Sequence, residues 1–290
     1  MNVIIENIFE KVRRSVFFNK ILKLIGALGL DKVCIRLMYK WFERHPTEKM
    51  RKSVEYFKIH EDDIVRIEEY LADDKSKRIW RQMIEFRQTM NYKHHPGMEC
   101  DQYFVKDIVK MSEQEIFIDC GGYDGLTSLD FIGRVHGKYE KIIIFEPDNK
   151  CYSRIQKNMP NDKRIQVIPK GVWDREDALS FVASGDAASH IAEEGVAGAE
   201  TISVVSIDKC DECRNASFIK MDLEGAEQKA LRGAEHTIKR NMPKLAICIY
   251  HSDEDMLKII DYIHNLVPEY KLYVRHHSTA AIETVVYAIR

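Results

Sequence analysis

No apolar run in this 290-residue sequence reaches the roughly 18 residues needed to cross a membrane. The opening stretch MNVIIENIFEKVRRSVFF lacks the basic-then-apolar order of a signal peptide. Neither sign of charge prevails: 44 Lys and Arg stand against 46 Asp and Glu. A net charge of −2 leaves no basic footprint of the kind nucleic-acid binding usually needs. The seven cysteines are odd in number and scattered, which suits a reducing cytosol better than a disulfide framework. These absences predict a cytoplasmic protein with no transmembrane segment and no nucleic-acid partner. Two nucleotide signatures are missing as well: there is no G-x-G-x-x-G and no G-x-x-x-x-G-K-[ST]. Hydrophobic residues make up 45%, ample for a packed core.

Glycine is absent between Gly29 and Gly97. In residues 1–95 apolar residues recur three and four apart, which predicts a helical N-terminal region. The first helix carries Lys11, Arg13, Arg14, Lys20 and Lys23. It suits either peripheral contact with an anionic membrane or plain packing on its own domain. Further helices are predicted at Asp31–Arg44, Lys49–His60, Asp62–Ala72 and Lys75–Met90, with Asp62 and Asp73 as N-caps. His94, His95, Pro96 and Gly97 mark a joint between domains 1–95 and 96–290. The paired histidines there read as linker residues, because no further ligand follows at zinc-site spacing.

Beyond the joint the period changes. Strands are predicted at Glu115–Cys120, Lys141–Glu146, Arg164–Pro169, Ser217–Asp222, Lys244–Tyr250, Tyr270–His276 and Thr284–Ile289. Helices are predicted at Thr127–His136, Lys150–Asn158, Ala226–Arg240 and Asp253–Leu266. Apolar strands separated by helices imply an α/β fold with a mostly parallel sheet covered on both faces. The last two strands are joined by too short a link for a parallel crossover, so they are expected to form an antiparallel hairpin.

The stretch EIFIDCGGYDG, Glu115 to Gly125, is a buried strand running into a glycine-rich turn at a helix start. Glycines there let a ligand approach the backbone, and a helix N-terminus offers free amide donors. The spacing of Asp119, Gly121 and Gly125, with Gly122 and Tyr123 between, fits a nucleotide crevice at strand ends. Glu146 ends the next strand in FEPD, where an acid can accept both ribose hydroxyls or simply stand solvated in a loop. Val172 and Trp173 close the third strand and suit an adenine face, or a core position.

DCGGYDG and FEPD, with IKMDLEGAE (Ile219 to Glu227) and LAICIYHSDED, resemble the FkbM family of S-adenosylmethionine-dependent methyltransferases. The resemblance spans about Glu99 to Arg290 and leaves the helical first third unexplained. It implies a seven-stranded Rossmann-like methyltransferase sheet with a C-terminal antiparallel hairpin, and S-adenosylmethionine as cofactor. It implies O-methylation of hydroxyls on polyketides or sugars, often in glycan settings. On that resemblance Asp119, Gly121 and Gly125 take the methionine part, Glu146 the ribose, and Asp222 and Glu224 the reaction end. Two positions depart from the family: Tyr123 replaces a small or polar residue, and CIYH stands where many relatives carry a glutamate.

A methyl acceptor hydroxyl must lose its proton, and Asp222 and His251 end neighbouring strands on the crevice side. Both, with Glu224, are the catalytic candidates. His251 suits a base or a structural histidine, and Glu227 a base or a helix cap. No metal is assigned, although Asp222, Glu224 and His251 form an alternative ligand set for Mg²⁺ or Mn²⁺. Asp101, Gln102 and Tyr103 precede the first strand and suit a place over the cofactor or acceptor, or simple packing. Cys210-Asp-Glu-Cys213 is a lone C-x-x-C with no second pair. Ser184 to Ala199 reads as a mobile loop, either a lid or plain surface. The expected activity is methylation of a small-molecule or carbohydrate hydroxyl. The alternatives are an NAD-dependent sugar oxidoreductase and a non-catalytic scaffold in glycan biosynthesis.

Overall fold

Helices form where apolar residues recur three and four apart, and some are opened by a polar side chain that caps their first turn. The computed structural model describes residues 40–41, 44–183, 190, 191, 196 and 198–290. The basic first helix, most of the Asp31–Arg44 helix and most of the Ser184–Ala199 stretch lie outside them. Helix α1 spans Glu48–Ile59 and buries Met50, Ser53 and Phe57. The Thr47 hydroxyl accepts the Met50 amide and caps it. Helix α2 spans Glu61–Tyr70 and buries Ile64 and Ile67. Helix α3 spans Asp74–Thr89, and Asp73 accepts the Ser76 amide at 2.6 Å at its start. Asp73 is thus the cap expected, whereas Asp62 sits inside α2 and caps nothing.

Contacts divide the chain into two units. One lies within Met1–Glu61 and Arg81–Pro96; the other comprises Asp62–Trp80 and Gly97–Arg290. In the second unit, β1 (Ile116–Cys120), α4 (Leu126–Arg134), β2 (Lys141–Phe145), α5 (Asn149–Asn158) and β3 (Ile165–Ile168) run in succession. Short strands follow: β4 (Gly171–Val172), β5 (Asp177–Val182), β6 (His190–Ile191) and β7 (Glu200–Val205). Then come β8 (Phe218–Met221), α6 (Glu227–Arg232), α7 (Glu235–Asn241), β9 (Lys244–Cys248), α8 (Asp253–Leu266), β10 (Lys271–His276) and β11 (Thr284–Ile289).

Seven strands form one sheet in the order β10-β11-β9-β8-β1-β2-β3. β1, β2, β3, β8 and β9 are parallel neighbours, and β11 pairs antiparallel with both β9 and β10. The order reverses at β1, so β1, β2 and β8 end side by side at the switch point where ligands bind in open α/β sheets. Phe117, Phe131, Phe218 and Phe104 fill the core beneath that end. The β10 edge is covered from within the same unit: the Ala72 amide donates to Leu272 O at 2.8 Å, and Arg275 pairs with Asp73 at 2.7 Å.

Two features differ from the pattern expected. β4, β5, β6 and β7 make a second, four-stranded sheet in the order β4-β7-β5-β6. It includes His190–Ile191, inside the stretch read as a loop. The helix expected over Ala226–Arg240 is two helices, broken at Gly233 and Ala234. A Cβ on Gly233 would stand 2.0 Å from Trp173 O, so the chain must bend there to let the two backbones pass. Among the described residues no helix is long and apolar enough to cross a membrane.

Candidate active site

The turn after β1 is held from below. Gly121 has φ +86°, and a Cβ on it would stand 2.0 Å from Asp222 O. Only glycine lets the β1 turn pack against the end of β8. The amides of Gly121 and Gly122 both donate to Phe145 O at 3.0 Å, and that of Gly125 donates to Gly122 O at 2.8 Å. The glycines therefore give a ligand close approach, but their amides are spent inside the turn, contrary to the expectation of free donors there.

Asp119 is fully buried and does not reach the cavity wall. Its carboxylate pairs with Lys220 Nζ at 3.0 Å and accepts the Ser128 hydroxyl at 2.7 Å. Lys220 also donates to Gly121 O at 2.6 Å and Cys120 O at 3.2 Å, tying strand end to turn. Burial works against its charge, but Asp119 and Asp222 outweigh that and raise its pKa, so the ammonium persists. Lys220 was not singled out from the sequence. The signal was present: a lone lysine inside the apolar strand FIKM.

Above this base lies a cavity walled by Gly121, Gly122, Tyr123, Glu146, Asp222 and Glu224, among others. Glu146 follows β2 and is buried, with Oε2 accepting the Tyr123 amide at 2.8 Å and Oε1 the Asp148 amide at 2.9 Å. Burial raises its pKa to about 7, and the two amides offset only part of that. Tyr123 lies half open on the wall with Arg154 over its ring. Gly125 starts α4 behind the turn. Val172 and Trp173 do not line the cavity. Val172 is buried in the small sheet, and Trp173 packs against that sheet's core beside Lys229. The small sheet instead presents Phe181 to the cavity.

Asp222 follows β8 and is the hub of the polar end. It accepts the Tyr103 hydroxyl at 2.7 Å and the Tyr250 hydroxyl at 3.2 Å. Burial would raise its pKa, but Lys220 and His251 lower it, so it stays ionised. Tyr103 arrives on a turn where Asp101 and Tyr103 both have positive φ, with Arg134 anchoring Asp101 at 2.7 Å. Glu283, from the β10–β11 link, accepts from Gln102 and faces the Tyr250 hydroxyl at 3.5 Å. Burial, then the Asp222 charge, raises its pKa. Tyr250 and Glu283 were missed in the sequence, because only chain crossing brings the hairpin tip to the end of β9.

His251 sits among three carboxylates: Asp222 Oδ1 at 3.5 Å, Glu224 Oε2 at 3.7 Å and Glu227 Oε1 at 3.1 Å. Burial opposes a charged ring, but the carboxylates win and raise its pKa to about 11. In the free chain this direction favours the protonated ring over a free base, and a ligand taking up Nε2 must displace that proton. Glu227 is fully buried and accepts the Leu223 amide at 2.5 Å and the Gly225 amide at 3.1 Å, so it braces the loop before α6 rather than capping the helix amides. Cys210 and Cys213 join no cluster of possible metal ligands among the described residues.

A family model described as the methyltransferase FkbM domain matches residues 119–270, more than half of the chain. The FkbM methyltransferase of Methylobacillus flagellatus superposes with a TM-score of 0.69 at 27% identity, covering 81% of this chain and 60% of its own. This chain therefore spans about three fifths of that relative's length. An rRNA methylase from Streptococcus thermophilus gives 0.40 at 12% identity, covering 69% of this chain and 93% of its own. Fibrillarin from Aeropyrum pernix, solved with natively bound S-adenosylmethionine, gives 0.38 at 11%, covering 64% and 72%. No curated protein matches the chain. With the glycine turn, Glu146, Asp222 and Glu224 gathered around one cavity, the chain belongs to the FkbM family of S-adenosylmethionine-dependent methyltransferases.

Proposed function

We propose that this chain methylates a hydroxyl group on a sugar or glycan precursor. The observation that carries this reading is Asp222: ionised, on the cavity wall, and clamped by two tyrosine hydroxyls beside the glycine turn. S-adenosylmethionine supplies the transferable methyl carbon on its sulfonium. The residues present fit that cofactor. Glu146 keeps lone pairs beyond its two amide bonds for ribose hydroxyls. Gly121 and Gly122 leave the space a methionine chain needs, and Phe181 offers an apolar face for a base.

Toward the acceptor, Asp222 orients the hydroxyl and takes up its proton. Tyr103 and Tyr250 fix which way its oxygens point. A polyol acceptor suits this wall, because carboxylates and tyrosine hydroxyls satisfy several hydroxyls at once. Good alignment of two reactants is worth roughly 7–11 kcal/mol, so this rigid scaffold is itself much of the catalysis. An assay of nucleotide sugars and simple glycosides with methyl-labelled S-adenosylmethionine tests the reading. Label incorporated into an ether is the expected result; label only in amine or thiol acceptors would overturn it.

A further inference from the structure

Asp222, Glu224 and His251 come from the ends of two neighbouring strands, and each offers a ligand atom within 4.8 Å of the others. Two donors about 2.0–2.2 Å from one ion lie roughly 3.0–3.5 Å apart at octahedral or tetrahedral angles. The Nε2 separations of 3.5 and 3.7 Å are close to that range and too long for ordinary hydrogen bonds.

The histidine provides a second, separate observation. Its side chain is only 9% exposed, yet neither ring nitrogen has a hydrogen-bond partner of ordinary geometry. A buried polar atom left so is costly unless something fills the gap. Of the two, Nδ1 faces Glu227 Oε1 at 3.1 Å. Glu227 is itself pinned by two backbone amides. A carboxylate behind one ring nitrogen, with the other aimed at two carboxylates, is how proteins orient a metal-binding histidine.

We propose that Asp222, Glu224 and His251 Nε2 bind one divalent transition-metal cation, with Glu227 as the positioning residue that orients the ring. One imidazole and two carboxylates suit Mn²⁺, Fe²⁺ or Zn²⁺ better than Ca²⁺. Asp222 and Glu224 also wall the cavity, so remaining ligand positions open toward the acceptor. There the ion holds the acceptor oxygen and makes its hydroxyl more acidic. This use of the ion rests on the hydroxyl reading above; the binding itself does not.

The test is a titration of the chelator-treated full chain with Mn²⁺, following free Mn²⁺ by electron paramagnetic resonance. The wild-type chain is expected to take up one ion. His251→Ala abolishes uptake, Glu224→Gln weakens it, and Glu227→Gln weakens it about 10–100-fold. Thermal melts check that each variant is folded, and Glu224, on an exposed turn, serves if His251→Ala does not fold. No uptake by the wild-type chain, or unchanged uptake in folded His251→Ala and Glu224→Gln, overturns the proposal. Uptake without ether formation keeps the site and removes the hydroxyl reading. Ether formation by a chelator-treated chain that takes up no Mn²⁺ does the reverse.

Discussion

Asp222 and Glu146 are both buried carboxylates, yet their neighbours push them in opposite directions. Asp222 faces Lys220 and His251 and stays ionised; at Glu146 burial outweighs two amide bonds and the weaker pull of Lys220, and its pKa rises to about 7. Replacing Asp222 by Asn keeps the shape but removes the proton acceptor. The expected loss is about 10²–10⁴-fold in kcat, with S-adenosylhomocysteine still raising the melting temperature. A variant with wild-type turnover would remove Asp222 from the chemistry. For Glu146 the sign follows from its raised pKa. In the free chain the protonated form favours folding, a contribution present below 4.5 and lost as pH rises through about 7. If Glu146 holds the ribose as proposed, its ionised form is the better acceptor, so affinity for S-adenosylhomocysteine should climb between pH 6 and 8, by up to about tenfold per unit below the pKa. Calorimetric titration across that range should show the slope in the wild type and its absence in Glu146→Gln.

At the level of elements, the β1 turn and the end of β8 are in backbone contact and cannot move apart independently. Gly121→Ala would add a Cβ 2.0 Å from Asp222 O at a φ of +86°. The left-handed conformation and the overlap together should cost roughly 2–5 kcal/mol. Urea unfolding measures it, and a loss under 1 kcal/mol would mean the turn and strand relax freely. The motifs around this contact are readable in one dimension: an apolar run, then an acid, then glycine. Their local chemistry sets their local form. The second sheet was not readable, because β4 and β6 are two residues each and gain their form only by pairing. The break between α6 and α7 was hidden for the same reason, since it answers to the Trp173 backbone far away in sequence.

At the level of the molecule, cofactor and fold are linked: a ligand bound only by the native sheet raises its stability. At a hundredfold excess over its dissociation constant the gain is about 2.7 kcal/mol. S-adenosylmethionine and S-adenosylhomocysteine should each raise the melting temperature by several degrees, and NAD should not. A shift with NAD alone would revive the oxidoreductase alternative, and no shift with any of the three the scaffold one.

By itself the sequence determined the seven strands of the main sheet and most of the helices between them, the terminal hairpin, the glycine turn, and the placing of acids in FEPD and the DLEG string. Each is a property of a short segment and its periodicity. Tertiary structure alone decided that Asp119 is buried on Lys220 and away from the cavity. It also decided that Tyr103, Tyr250 and Glu283 converge on Asp222, that Phe181 takes the wall position expected of Trp173, and that Asp62–Trp80 belongs with the sheet. These outcomes depend on which distant segments end up adjacent. Adjacency sets charge, burial and reach, and no local pattern encodes it.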